Sequence, residues 1–186
     1  MTWKTSTKAS DGQAYEFYQQ EKVNQCGPAS ICTFINLTQK KKLSVDIVGR
    51  WHIEGEGVTL VNNDMIRDFG LNGSWYSGTI AALEKQNVNA HATKGYSNAA
   101  KWAIKGGKYK PAILSIGWYA KNLKGRWQRN GGHWVVAVKV EAGKVICLDS
   151  GLATGIVEMD VSKPNLYKVN YGSGDQEGLL DGIILP

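Results

Sequence analysis

Cys26 stands alone ahead of Gly27-Pro28-Ala29-Ser30-Ile31, and this is the stretch of the chain best suited to nucleophilic chemistry. Pro28 falls where a first helical residue is expected, because the missing N–H is unpaired there in any case and φ is already helical. The thiol therefore faces a helix's positive end, where unpaired N–H groups and aligned peptide dipoles favour a thiolate. A free Cys is more commonly a small buried hydrophobe, so the chemical reading requires a partner base. There are three histidines. His133 follows Gly131-Gly132 and opens the strongest β-pattern, a cleft-edge position from which an imidazole can reach a neighbouring layer. His52, past the apolar stripe of a helix, and His91, between alanines, read as core or surface residues. Asp149 ends the strand paired by hairpin to that of His133. Hairpin strands lie about 5 Å apart, so its carboxylate can approach the second ring nitrogen. The competing reading is an Asp that opens a turn with Ser150-Gly151. Thiol, base and orienting carboxylate are the parts that acyl transfer by a thiol needs. Cys147 shares strand parity with Asp149 and is expected to be buried.

These residues must be held by two kinds of element. Ile31, Phe34, Ile35 and Leu37 recur at helical spacing, which predicts a central helix over 28–37. Ser44 can cap a second helix through Trp51, Asn62 or Asn63 a third over 64–69 closed by Gly70, and Ser77 or Thr79 a fourth through Gln86. A fifth is predicted over 97–105, ending at Gly106-Gly107. After Pro111 the pattern turns to strands at 112–119, 133–140, 145–149, 155–159, 166–171 and 180–185, with a hairpin turn at 141–144. Residues 1–12 read as a loose arm leading to a short extended piece at 15–18. Helices first and an antiparallel sheet afterwards is an α+β layout in one domain over 1–186.

At 186 residues, 42% apolar and 20% charged, the chain is long enough for a proper core. Three cysteines are too few and odd in number for a disulfide framework. They share no close spacing with a histidine, so no metal site is expected, and no cofactor motif is present. The aromatic residues lack the spacing of a base-stacking sheet, which argues against nucleic acid as a partner. No run is long enough for stable membrane insertion, and residues 1–20 lack the apolar core of a signal peptide. A cytoplasmic start is expected, with export as an effector by a dedicated secretion system as an alternative. The net charge of +6 favours anionic partners, including headgroups and cell-wall polymers. Lys40-Lys41-Lys42 reads as a solvated connection between helices.

Five residues separate Gln20 from Cys26-Gly27-Pro28-Ala29; Gly132-His133-Trp134-Val135-Val136 follows downstream, and Asp149 lies sixteen residues beyond the histidine. In order and spacing these motifs resemble those of papain-like cysteine peptidases. The closest resemblance is to bacterial peptidases related to the leader-cleaving domains of bacteriocin exporters. It implies Cys26 as nucleophile, His133 as general base and then acid, Asp149 as the orienting residue, and Gln20 as a donor to the oxyanion. Gln19 and Gln25 compete for that last role, Gln25 reading better as a cleft-wall residue. The relatives usually carry proline after the aspartate, where this chain has Ser150-Gly151.

A peptide or protein substrate follows from the resemblance. Trp118-Tyr119, Trp127, Trp134 and Trp75-Tyr76 could line its cleft, although core packing also explains aromatics. The stretch from Tyr119 to Gly132, with Lys121, Lys124, Arg126 and Arg129, reads as a mobile basic loop contacting substrate. The same residues could serve an acyl transferase of the phytochelatin-synthase-like type, or a cell-wall amidase or effector toxin. A non-catalytic binding module is disfavoured because Gln20, Cys26 and His133 are all present.

Overall fold

A computed structural model describes residues 2–55, 76–94, 111–141, 143–160, 162–163, 166–172 and 174–186. In chain order these form β1 (Trp3–Thr5), β2 (Glu16–Tyr18), a 3-10 turn (Val23–Gln25), α1 (Cys26–Gln39), α2 (Val45–Gly55), α3 (Tyr76–Glu84), β3 (His91–Lys94), β4 (Ala112–Lys121), β5 (Trp127–Glu141), β6 (Lys144–Leu148), β7 (Ile156–Asp160), β8 (Leu166–Asn170) and β9 (Asp175–Leu185). The expected helices over 64–69 and 97–105, and Trp75, lie outside the described residues.

The helix carrying the thiol is central, as its apolar spacing predicts. From Cys26 to Asn36 every residue of α1 is buried, so it packs on all sides, against β2, α2, α3 and β5. It begins two residues earlier than expected: Cys26 is itself the first helical residue, and Pro28 is the third. That position is still in the first turn, where the helix offers an N–H no acceptor, so proline costs no hydrogen bond. At the other end Lys40 takes a left-handed conformation (φ 57°) and its N–H donates to Asn36 O at 3.0 Å. This closes the helix just where the lysine run begins. In α2 the Ser44 hydroxyl accepts the Asp46 N–H at 3.2 Å, the expected cap.

The sheet has the order β3-β9-β4-β5-β6-β7, with β8 also on β9, and its pairings are antiparallel throughout. Strand alternation divides its side chains between two cores. Ile113, Trp134, Val136, Leu148 and Ile184 pack with α1 on one side. Ala112, Leu114, Ile116, Val135, Ala137, Val145 and Cys147 pack with Tyr167 and Val169 of β8 on the other. Both faces being covered explains why these strands read as unbroken apolar runs.

Two sequence expectations change, and one strand is added. Trp3–Thr5, expected in a loose arm, pairs with β2. The predicted basic loop is a hairpin: β4 continues to Lys121 and β5 begins at Trp127, so His133 sits inside a strand. Its polar sequence conceals it from a reading based on apolar alternation. Finally, β3, with its short polar-rich run, has no clear strand pattern in the sequence, and pairing with β9 supplies what propensity does not.

β5 outruns its neighbour. The pairing with β6 extends from Glu141↔Lys144 to Val136↔Leu148 and stops there, which leaves residues 127–135 beyond the reach of β6. The first turns of α1 lie along this opening, where the Ser30 hydroxyl donates to Trp134 O at 3.0 Å. The thiol is thereby brought to the strand that carries His133.

Gly155 closes the turn beyond Asp149: its carbonyl accepts the Asp149 N–H at 3.1 Å, and its φ is +70°. A Cβ here would lie 2.4 Å from the Phe17 ring. Gly155→Ala is therefore expected to cost about 2–4 kcal/mol, from left-handed strain together with overpacking. A lower denaturant midpoint at unchanged m-value would register it.

Candidate active site

His133 is buried, and its Nε2–H donates to Asp149 Oδ1 at 2.7 Å. A carboxylate only accepts, so this bond fixes the proton on Nε2 and turns Nδ1 toward other partners. The Cys26 side chain is within hydrogen-bonding range of the same imidazole. The structure thus brings Cys26, His133 and Asp149 together from a helix start, a strand and the turn after β6.

Asp149 is completely buried, yet every lone-pair direction of its carboxylate has a donor. His133 Nε2–H and the Gly151 N–H (2.7 Å) share Oδ1, while the Tyr167 and Tyr171 hydroxyls share Oδ2, Tyr171 at 2.8 Å. Burial pushes the Asp149 pKa up. The His133 charge and the hydrogen bonds from His133, Tyr167 and Gly151 more than reverse that and hold it below the ordinary carboxylate range. Burial by itself would lower the His133 pKa. The charge and hydrogen bond of Asp149, together with those of Cys26, override it and raise the imidazole to about 10. Burial and the Asp149 charge also raise both phenols, keeping them protonated and therefore donors.

Sequence reasoning missed Tyr167 and Tyr171. Their even spacing, four residues apart at the end of a predicted strand, puts them on one side, but nothing local says which carboxylate they meet. Ser150-Gly151 also acquires a role, since the Gly151 N–H binds the carboxylate. A Cβ on Gly151 would lie 2.9 Å from the Tyr171 ring, so glycine permits the close approach.

Gln20 reaches the same turn from the other half of the chain. Its backbone N–H donates to Ser150 O at 3.0 Å, and its Oε1 accepts the Ser150 hydroxyl at 2.7 Å. Its Nε2 donates to Lys22 O at 3.1 Å. Gln25, expected on the cleft wall, is buried; its Oε1 accepts the Glu21 and Lys22 N–H groups, each at 3.1 Å, and so shapes the turn before Cys26.

The Trp118 ring is stacked on His133 with centroids 6.2 Å apart. Trp134 is placed differently. Strand alternation turns it away from His133 into the helix-side core, edge-on to Tyr76 at 5.1 Å. Cys147 is buried beside Met159, and His52 contacts the Thr79 hydroxyl at 3.3 Å in the interior. His91 is exposed on β3. Among the described residues no group of His, Cys, Asp and Glu could hold a metal ion. No described helix is long and apolar enough to cross a membrane.

At the level of sequence, no family model and no curated protein matches the chain. Solved structures do match. The peptidase domain of Streptococcus ComA, a bifunctional ABC transporter involved in quorum sensing, is 13% identical and superposes with a TM-score of 0.56, covering 92% of this chain and 96% of that one. A double-glycine-motif protease from an AMS/PCAT transporter, solved with its leader peptide, is 15% identical with a TM-score of 0.51, over 91% and 88% of the two chains. A protein assigned as a C39-like peptidase from Bacillus anthracis is 11% identical with a TM-score of 0.50, over 77% and 84%. With helices packed on an antiparallel sheet, and with most of each of these peptidase domains covered, the chain shares their α+β, papain-like fold.

Proposed function

We propose that the chain is a cysteine peptidase whose chemistry is carried by Cys26, His133, Asp149 and Gln20. The observation that carries this reading is the buried imidazole held between the Asp149 carboxylate and the Cys26 thiol. The Cys26 thiolate adds to the carbonyl carbon of a peptide bond, and the oxygen takes the negative charge. The Cys26 N–H belongs to the first turn of α1, at the positive end of the helix, so it is suited to receive that oxygen. The Gln20 amide is the second donor, on leaving the Lys22 carbonyl. His133 then gives its Nδ1 proton to the amide nitrogen, the C–N bond breaks, and a thioester remains. Water attacks the thioester, His133 takes a proton from it, and the thiolate departs. Asp149 accepts from Nε2–H throughout, keeping the ring oriented and its positive charge balanced. Peptide is the substrate class favoured by the leader peptide bound to one structural neighbour.

The test is iodoacetamide labelling of the native protein, read beside hydrolysis of a peptide library. Cys26 should be alkylated with concomitant loss of activity while Cys32 and Cys147, fully buried and with pKa values pushed well up by burial, stay unlabelled. The pH dependence separates the roles of the pair. Because the His133 pKa is raised to about 10, hydrolysis should persist into the alkaline range and fall as pH passes about 10, when the proton for the leaving amine is lost. Alkylation needs only the thiolate and should continue there. Labelling spread over the three cysteines, or full hydrolysis by alkylated protein, removes this reading.

A further inference from the structure

Beyond Trp118 the β4–β5 hairpin stands apart from the sheet. β9 pairs with β4 only as far as Trp118↔Gly178, and β6 pairs with β5 no nearer than Val136, so neither strand has an outer neighbour here. All residues from 120 to 130 are exposed. A free two-stranded ribbon is marginal by itself, yet the tip is firmly built. The Asn122 side-chain oxygen accepts the Lys124 and Arg126 N–H groups, each at 3.0 Å. Asn122 and Arg126 also close the turn through the backbone at 2.8 Å, and Gly125 provides the positive φ of 71°. The ordered tip holds Leu123 entirely in water, at 107% exposure, with Trp127 at 69% behind it.

Within the hairpin itself, the charge beside these two apolar side chains has one sign. No acidic residue occurs between Trp118 and Trp134. Arg129 is neutralised by Asp181 at 2.8 Å, whereas Lys121, Lys124 and Arg126 have no ion pair among the described residues. The Lys121 ammonium lies 5.6 Å from the Trp127 ring centre. A leucine at the apex, a tryptophan one step behind and three cations around them match the depth profile of a bilayer surface: acyl boundary, interface, phosphate. We propose that this hairpin is a finger by which the protein docks peripherally on an anionic lipid surface. The contact is independent of the thiol chemistry. Each cation held near such a surface strengthens binding about fivefold, and burial of the leucine adds tenfold or more. An exposed groove of about 630 Å³ adjoins the finger, lined by Tyr119, Trp127, Glu177, Gly178 and Leu179. The acidic Glu177 in its wall and the position of Leu123 outside it favour the lipid surface over a peptide seated there.

Sedimentation of the full chain with vesicles tests the proposal. Binding is expected to phosphatidylcholine vesicles containing phosphatidylglycerol at low ionic strength, to weaken with salt, and to be much poorer for phosphatidylcholine alone. Leu123→Asp and the pair K124E/R126E should each reduce partitioning by about tenfold or more, while Lys163→Glu, an exposed cation elsewhere, and Cys26→Ala should leave it within about twofold. Leu123 touches no core, so circular dichroism of L123D should match the parent. Absence of binding to the anionic vesicles overturns the proposal, as does binding that Leu123→Asp does not weaken or that Lys163→Glu weakens equally. Loss of peptide cleavage by L123D without vesicle binding would instead make the finger a substrate contact. Vesicle binding by a protein without peptidase activity would leave the finger standing and remove the peptidase reading.

Discussion

Replacing Cys26 with alanine is expected to lower peptide hydrolysis by about 10⁴-fold or more, and His133→Ala should cost nearly as much, while the double variant should be scarcely worse than either. The reason is the shared proton. The imidazole is raised to about 10 partly by the charge and hydrogen bond of Cys26, so removing either side chain takes away the other's partner. Steady-state kinetics on the three variants read this directly, and additive losses would show two independent groups. His133→Ala also strips the fully buried Asp149 of its charge partner, so its activity is compared beside a melting curve. Cys26→Ala removes a small side chain from a helix end and serves as the folded reference.

Asp149→Asn is expected to cost about 10³–10⁴ in kcat and to move the alkaline limb of activity down from about 10 toward neutrality. Four donors converge on this carboxylate, two on each oxygen. An amide has one oxygen, so in either orientation its NH₂ meets groups that also donate. The substitution thus breaks the orientation of His133 or that of the tyrosine pair, and it removes the charge that sustains the imidazolium. The sign for stability follows from the two shifts. His133, raised in the folded state, contributes stability that is complete below its ordinary pKa of 6.5 and lost as pH rises through about 10. Asp149, lowered, contributes stability that is complete above 3.8 and lost as pH falls through its folded value. The pair therefore supports the fold across the neutral range, and the asparagine variant should lose about 3–5 kcal/mol there and much less in strong acid. Denaturant unfolding at several pH values gives the result. Equal destabilisation at every pH would assign the loss to packing.

The site residues most legible in the sequence are those whose local setting carries a signal. Cys26 precedes a proline at a helix start, and Gly132-His133 enters a strongly apolar strand. Asp149 was harder, because Asp-Ser-Gly is also ordinary turn chemistry. The structure shows that the turn and the carboxylate contact coexist: Gly151 N–H and His133 share one oxygen. Tyr167 and Tyr171 were invisible as partners because β8 joins the sheet through β9, a pairing that no local pattern announces. The length of β5 was hidden too, since its first half is polar and stands clear of the core. Of the two readings the sequence leaves open for Trp134, cleft wall or core, the structure places it in the core, because beside His133 in sequence means opposite to it in a strand. For the fold, apolar periodicity found α1, α2 and most strands of the sheet. It failed at β1 and β3, whose few residues form strands through their partners.

The two hydrogen bonds between Gln20 and Ser150 join positions 130 residues apart, and the tyrosines on Asp149 lie further along still. During synthesis the thiol is made long before its base, and the base before the residues that hold its orienting carboxylate. Contacts this distant in the chain form late, after much of the loop-closure entropy has been overcome. A growing chain therefore exposes a cysteine with no imidazole beside it, and on the proposed reading the nucleophile is completed only together with the sheet. Folding itself would then set the moment at which the chemistry begins.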